Sequence, residues 1–127
     1  MTGVREATVR DLPDVMNVLD GAVLAADAAS VRDHIADDEV LVAVSEDGRR
    51  VLGALVLDGD HVEAVAVRRR RRGQGIGTAL VDAAAERRGR LTAAFDADVA
   101  PFYESLGFAV DPADEPGRMR GTRRPDR

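Results

Sequence analysis

The sequence predicts a single mixed α/β (α+β) domain over residues 1–127, built on one mostly antiparallel central sheet. Apolar, β-branched runs at 40–44, 51–57 and 62–67 are separated by tight-turn signals, which is typical of an antiparallel meander. Helical spacing of apolar residues precedes these runs and returns after them, at 74–88. A chain of 127 residues suits one domain, and no repeat or linker divides it.

The N-terminal elements are predicted to be a short strand and two helices. We expect the strand over residues 4–9. Asp11 is expected to cap the first helix, which carries Pro13 in its first turn. The apolar residues of this helix follow helical spacing and are Val15, Val18, Leu19, Ala22 and Val23. Ser30 is a second candidate cap, which opens a short helix ending near Asp37.

The second half of the chain alternates helices and strands. The helix over 74–88 is followed by a strand over 91–95. Asp98 is expected to cap a short helix, and a further strand begins over 108–110. We expect residues 118–127 to form a basic tail that pairs briefly with the sheet and then frays in solvent.

The composition excludes several classes of protein. The chain has no Cys, which excludes a disulfide, a thiolate nucleophile and a cysteine-ligated zinc. It has no Lys, which excludes a Walker-type phosphate loop and a Schiff-base enzyme. No apolar run approaches the roughly 18 residues of a membrane span, and the N-terminus lacks a signal-peptide pattern. We therefore expect a cytoplasmic protein without a membrane partner, and the Arg- and Asp-rich composition fits a halophilic cytoplasm.

The charge is unevenly distributed along the chain. The net charge is −5, yet five consecutive arginines stand at 68–72. An acidic protein with one local basic cluster is expected to bind a small anion there. A nucleic-acid-binding protein, by contrast, carries its basic charge over a broad face. Nucleic acid is therefore the less favoured partner.

A strand, a glycine-rich loop and a helix follow one another around this cluster. Gly73, Gly75 and Gly77 let backbone N–H groups converge on an anion, and the helix N-terminus adds about half a positive charge. Arg72 would reinforce phosphate binding. The glycines alone are equally compatible with a tight strand–helix turn beside solvated arginines. Their spacing does not fit the dinucleotide-binding fingerprint.

Two motifs resemble the signatures of the GNAT superfamily of N-acetyltransferases. The pattern R-x-x-G-x-G at 72–77 resembles the family's acyl-CoA signature, and the stretch PFYESLGF at 101–108 resembles the end of its last helix. The motifs and the predicted elements stand in the family's order, which implies about six or seven strands flanked by about four helices. The chain departs from the pattern at Arg69, where many members have Pro, and at Asp96, where many have Asn.

The resemblance implies acetyl-CoA as a co-substrate. Backbone groups of Val65 and Val67 would hold its acetyl and pantetheine end like an added strand, because a free strand edge offers N–H and C=O groups to an amide-bearing arm. Its pyrophosphate would lie on the loop, at Arg72, Gly73, Gln74, Gly75, Ile76 and Gly77. We expect no metal, since Asp96 and Asp98 are explained as a strand end and a helix cap, and no second His completes a metal site.

Tyr103, the only tyrosine of the chain, matches the family tyrosine that lies near the cofactor sulfur. The resemblance implies that it donates a proton to the departing thiolate. Ordinary pKa values near 10 for tyrosine and about 8.5 for a thiol make this transfer uphill by about 2 kcal/mol. The alternative is a core aromatic residue beside Phe102 and Phe108.

Glu63 and His61 are the candidate bases for the attacking amine. Strand alternation predicts that both share one face with Val65 and Val67. The resemblance places a base, or a water linked to one, at these positions in some members, and burial would raise the pKa of Glu63. The alternative for each is a residue at the rim of the sheet, and His61 fits this better because it follows the turn.

The resemblance thus implies an acetyl-CoA-dependent N-acetyltransferase that moves an acetyl group to a primary amine by direct attack in a ternary complex. The amine would belong to a small molecule or a peptide, and the enzyme would be a monomer or a homodimer. One alternative is a non-catalytic CoA-binding or sensory module of the same fold. A less favoured one is an anion- or nucleic-acid-binding protein that uses the Arg run.

Overall fold

The computed structural model describes residues 3–19 and 28–124, which form one sheet with helices on both faces. The predicted helical positions Ala22 and Val23 lie outside these ranges. The strands are β1 (Gly3–Glu6), β2 (Val40–Val44), β3 (Val51–Asp58), β4 (His61–Val67), β5 (Leu91–Asp96), β6 (Ala109–Pro112) and β7 (Arg118–Arg123). The helices are α1 (Leu12–Leu19), α2 (Ala28–Ala36), α3 (Ile76–Arg88) and α4 (Ala100–Ser105).

The seven strands are ordered β1-β2-β3-β4-β5-β7-β6. Every neighbouring pair is antiparallel except β4 and β5, which are parallel. The predicted fold class, a mixed α/β domain with a mostly antiparallel sheet, is therefore confirmed, and so is the meander of β2, β3 and β4.

The middle of the sheet is covered on both faces. All five residues of β2 are buried. One face of the sheet packs with α3 and α4, and the other packs with α1 and α2. Strands buried on both faces are apolar throughout rather than alternating, which explains the continuous apolar runs of the sequence.

Leu80 of α3 is fully buried on the first of these faces. A Cβ added at Gly53 of β3 would lie 3.2 Å from its Cδ1, so helix and strand are in close contact. We expect Leu80→Ala to lower the free energy of unfolding by about 2–5 kcal/mol, because the neighbours cannot fill the cavity. Val9→Ala is the control, since Val9 is 58% exposed, and should change it by no more than about 0.5 kcal/mol. Equal effects in urea unfolding would contradict this packing.

The first helical segment begins earlier than predicted. A 3-10 turn over Val9–Asp11 leads directly into α1. Asp11 lies inside this turn and accepts a hydrogen bond from the N–H of Thr8 at 2.8 Å, so its carboxylate still caps the turn. The first strand is correspondingly shorter than predicted and ends at Glu6.

The Asp11 carboxylate also pairs with Arg5 of β1. Nη1 and Nη2 of Arg5 donate to its two oxygens at 2.8 and 3.0 Å, and Asp11 is only 8% exposed. These hydrogen bonds hold the pKa of the Asp11 carboxyl below its ordinary value. Since the unfolded pKa is about 3.9, the stabilisation is fully present above about pH 4 and is lost as the pH falls through the folded value.

Asp11→Asn is expected to lower the free energy of unfolding at pH 7 by about 1–3 kcal/mol, because a hydrogen-bonded charge is lost. The difference from the wild type should shrink below about pH 4, where the wild-type carboxylate is itself protonated. Urea unfolding of both proteins at neutral and at acidic pH measures this difference. A difference that stays constant with pH would show that the carboxylate charge does not stabilise the fold.

Residues 118–123 form β7 in the interior of the sheet, between β5 and β6. A Cβ added at Gly121 would lie 3.0 Å from a ring atom of Phe108 and 3.1 Å from one of Phe95, so this strand is packed against the core. The predicted pairing of this segment with the sheet is therefore confirmed, but the pairing is not brief, and the predicted fraying is wrong over 118–123.

Helix α4 follows a 3-10 turn over Ala97–Val99. Asp98 is exposed within that turn, and no capping hydrogen bond from its side chain is present. Its predicted role as the helix cap is therefore wrong. After α4 the chain reverses at Gly107, where φ is +92°, a backbone conformation that favours glycine.

Candidate active site

Strands β4 and β5 are joined at their beginnings and separate beyond that point. His61 and Thr92 are the one registered pair between them, and Nδ1 of His61 lies 3.0 Å from Oγ1 of Thr92. The backbone N–H of Thr92 also donates to the carbonyl of Asp60 at 2.9 Å. The rest of β4 therefore has an edge that β5 does not cover.

Val65 and Val67 direct their backbone groups toward this uncovered edge. The N–H of Arg68 donates to the carbonyl of Leu52 on β3 at 2.8 Å. Because backbone groups of an antiparallel strand alternate between its two neighbours, those of Val65 and Val67 point away from β3. Among the described residues, the one hydrogen-bond partner on this side is Arg72, whose Nε donates to the Val67 carbonyl at 3.3 Å.

Glu63 is the extra residue of a bulge in β4. Ala64 pairs with Val56 and Val62 pairs with the next residue of β3, so position 63 has no partner there. A bulge breaks strand alternation, and Val62 and Val65 consequently face the same core. The prediction that 61, 63, 65 and 67 all share one face by alternation is therefore wrong, although Val65 and Val67 do face the same core. Glu63 is exposed, so its expected burial does not occur either.

The glycine-rich loop leaves its backbone N–H groups open. Among the described residues, no acceptor is bonded to the N–H groups of residues 73–78. Gly73 and Gly75 both have φ +80°, and a Cβ at either position would meet nothing within 4 Å. The loop is therefore neither filled by side chains nor bonded internally. It can present a row of donors to an anion at the start of α3.

The residues around the loop fix its shape. Arg68 donates from Nε to the carbonyl of Val51 on β3 at 2.6 Å. A Cβ at Gly77 would lie 3.1 Å from Leu106, so this glycine allows α3 to approach the segment after α4. Ile76 is buried in the core, which leaves only its backbone available to a ligand. Gln74 is exposed.

Tyr103 is a residue of α4, and its ring lies in a cluster of aromatic side chains. Its ring stacks on Phe95 with a centroid distance of 4.0 Å and an angle of 3°, and it meets Phe102 and Phe108 edge-to-face at 5.3 and 5.5 Å. Burial raises the pKa of the Tyr103 phenol. Its hydroxyl has no hydrogen-bond partner among the described residues and is not sealed from solvent. The ring is thus a core aromatic, as the alternative prediction has it, while the hydroxyl stays available.

An open groove of about 700 Å³ lies between α3, the end of α4 and β7. Thr78 and Asp82 line it on α3, and Ser105 and Arg123 line the other side. The groove reaches the first turn of α3 at Thr78, next to the glycine-rich loop, but includes no residue of β4. The sequence does not indicate this groove, because three distant segments form it and no local motif marks them.

The acidic residues near the sheet have structural partners. Asp96 accepts a hydrogen bond from Nη1 of Arg118 at 2.7 Å. Over 3–19 and 28–124, no group of three or more His, Asp or Glu side chains is placed to hold a metal ion. Within the same ranges, no helix is long and apolar enough to cross a membrane.

Comparisons with solved structures show the same fold in acetyltransferases. A GNAT-family acetyltransferase from Bacillus cereus ATCC 10987 aligns with a TM-score of 0.82 at 13% identity, covering 100% of this chain and 99% of that one. The ribosomal-protein-S18-alanine N-acetyltransferase from Escherichia coli aligns with a TM-score of 0.70 at 17% identity, covering 96% and 91%. YjaB from Escherichia coli aligns with a TM-score of 0.65 at 20% identity, covering 96% and 95%.

A family model extends this likeness to the sequence. No curated protein matches the chain. The model described as an acetyltransferase (GNAT) domain matches residues 36–110, which is more than half of the chain and includes the glycine-rich loop and Tyr103. Members of this family transfer acetyl groups and generally use acetyl-CoA. The chain is therefore a member of the GNAT acetyltransferase family.

Proposed function

We propose that this protein is an acetyl-CoA-dependent N-acetyltransferase that acetylates a primary amine by direct attack in a ternary complex. The observation that carries the proposal is the row of open N–H groups at 73–78, at the start of α3. Two further features support it. Val65 and Val67 present backbone groups at the uncovered edge of β4, and the Tyr103 hydroxyl is unpartnered among the described residues.

The loop fits the pyrophosphate of acetyl-CoA. Gly73 and Gly75 have positive φ, a conformation found in backbone loops that bind anions through N–H groups, and the N-terminus of a helix favours negative charge. Arg72 is exposed beside them and adds a guanidinium that phosphate oxygens can accept from. Backbone groups of Val65 and Val67 suit the amides of the pantetheine arm, because these amides can hydrogen-bond to β4 as the backbone of a neighbouring strand would.

Acetyl-CoA supplies the acetyl group as a thioester. A backbone N–H of Val65 or Val67 donates to the carbonyl oxygen, where negative charge grows as the amine attacks. Tyr103 gives its phenolic proton to the sulfur as the carbon–sulfur bond breaks. The attacking nitrogen loses a proton, which Glu63 accepts through water, since it is exposed in β4 two residues before Val65. An α-amino acceptor, with an ordinary pKa near 8, needs less help from a base than a lysine-like amine near 10.4.

Calorimetric titration with acetyl-CoA tests the first part of the proposal. We expect one site per chain, and an absence of binding would remove the proposed function. With an accepted amine found by screening, initial rates should give intersecting double-reciprocal lines, because both substrates are bound before transfer. The chain has no Cys to carry an acyl-thiol intermediate, and parallel lines would contradict direct attack.

The two alternatives predict different results. A CoA-binding module would bind acetyl-CoA but acetylate no amine, and Tyr103→Phe would leave its function intact. A nucleic-acid-binding protein would bind polyanions with an affinity that falls steeply with salt.

A further inference from the structure

Arg123 of β7 is a buried arginine on the side of the sheet where α3 and α4 meet. Its side chain is 8% exposed, although the sequence places it in a basic tail. An arginine is rarely buried without partners, because its charge loses favourable hydration when it is taken out of water. Its contacts therefore show what the buried charge does in the fold.

The guanidinium connects three separate segments. It forms an ion pair with Asp82 of α3. Its Nε donates to the carbonyl of Leu106, directly after α4, at 3.2 Å. It also donates to the carbonyl of Arg124, the residue directly after β7. One side chain thus holds α3, the end of α4 and β7 together.

Gly107 makes room for this contact. A Cβ at this position would lie 2.6 Å from Nε of Arg123 and 3.2 Å from its Cδ. The backbone there also has φ +92°, which glycine adopts without strain. The glycine and the arginine are therefore matched, since a side chain at 107 would displace the guanidinium from Leu106.

The segment that Arg123 holds is the one that carries Tyr103. The N–H groups of Leu106 and Phe108 donate to the carbonyl of Tyr103 at 3.0 and 3.1 Å. The Leu106 side chain in turn lies against Gly77, in the first turn of α3. Displacing Leu106 would therefore move the tyrosine relative to the start of α3, where the open N–H groups lie.

We propose that Arg123 is a positioning residue, which clamps α4 against α3 through Asp82 and Leu106 and so fixes the Tyr103 hydroxyl relative to the glycine-rich loop. The catalytic consequence rests on the function proposed for Tyr103. The effect of the clamp on the position of Tyr103 does not rest on that function, because the burial of the tyrosine can be measured without any activity.

The test uses Arg123→Lys, which keeps the charge but cannot bond Asp82 and Leu106 together through a planar fork. Arg118→Lys is the matched control, because Arg118 lies in the same strand and pairs with Asp96 in a more exposed position. Should Arg123→Lys fail to fold, Asp82→Asn removes the same ion pair from the α3 side and carries the same expectations.

The first measurement is the alkaline titration of tyrosine absorbance, which needs no activity. Tyr103 is the only tyrosine and the chain has no Trp, so the signal reports this one side chain. We expect the pKa of Tyr103, raised by burial in the wild type, to fall toward 10 in Arg123→Lys and to stay unchanged in Arg118→Lys. A titration of Arg123→Lys that matches the wild type would overturn the clamp, whether or not the protein is an acetyltransferase.

The second measurement is kinetic and separates positioning from stability. Arg123→Lys should lower kcat by about tenfold or more, because small displacements of catalytic groups are costly, while KM for acetyl-CoA stays within about threefold. Relative to Tyr103→Phe alone, the double variant with Arg123→Lys should lose less than about twofold in kcat, because Arg123 is expected to act through the Tyr103 hydroxyl, which is already absent. An equal loss in both backgrounds would show that Arg123 does not act through Tyr103. An inactive wild type would refute the proposed function and leave the titration to decide the clamp.

Discussion

Gly75→Asp is expected to weaken acetyl-CoA binding by at least about 100-fold. The new carboxylate would stand among the open N–H groups of the loop, where the proposed pyrophosphate binds. Two unit charges at about 4 Å repel by roughly 1–4 kcal/mol near a protein surface, and every 1.4 kcal/mol is a factor of ten in affinity. The carboxylate would also accept the hydrogen bonds that the ligand needs. Calorimetric titration with acetyl-CoA measures the loss.

Gly48→Asp is a matched control for this change. Gly48 has φ +73° and, like Gly75, no atom within 4 Å of an added Cβ, but it lies in the turn between β2 and β3. Both variants carry the same backbone strain and the same charge, so they should lose similar stability. Only the change at Gly75 should affect binding. Gly75→Asn separates charge from shape and should weaken binding about tenfold less than Gly75→Asp. Equal binding by the variants at 75 and 48 would place the cofactor elsewhere.

The fold was predictable where apolar residues follow a period. The runs of the meander and the helical spacing over 74–88 gave β2, β3, β4 and α3 to within a few residues, because burial dictates those patterns. The extent of strand β7 was underestimated for the opposite reason, since only a brief pairing was predicted there. Its sequence, RMRGTR, is rich in arginine, and nothing local indicates that Asp82 and Asp96 supply partners for Arg123 and Arg118.

The candidate site was predictable in its backbone and less so in its side chains. Gly73 and Gly75 adopt the positive φ that their loop requires, and glycine is the residue that signals such positions in a sequence. The single face for residues 61, 63, 65 and 67 was mispredicted because a one-residue bulge at Glu63 leaves no mark in the sequence, yet breaks the alternation of side chains along β4. The stacking of Tyr103 on Phe95 depends on a strand and a helix meeting, which no spacing encodes.

Tyr103→Phe is expected to lower kcat by about 10²–10⁴-fold, the usual contribution of a general acid, and to leave the affinity for acetyl-CoA within about threefold. The ring would still stack on Phe95, since the change removes only the hydroxyl. No described residue is hydrogen-bonded to that hydroxyl, so no partner is left unsatisfied and the free energy of unfolding should change by less than about 0.5 kcal/mol. Steady-state rates, calorimetry and urea unfolding measure the three quantities.

The pH dependence of kcat tests whether Tyr103 is the group that donates the proton to the sulfur. Burial raises the pKa of its phenol above the ordinary value near 10, so the midpoint of the alkaline loss of activity should lie above pH 10. The raised pKa makes the Tyr103 phenol a weaker proton donor. Desolvation also raises the pKa of the departing thiol, because the thiolate is harder to form in the same cleft, and this narrows the difference between the pKa values of the phenol and the thiol. The wild type should therefore keep its kcat between pH 8 and about 9 and lose it with a midpoint above pH 10, and Tyr103→Phe should lack this alkaline decline. A wild-type decline centred near pH 8, or a variant that retains full kcat, would assign the proton to another group.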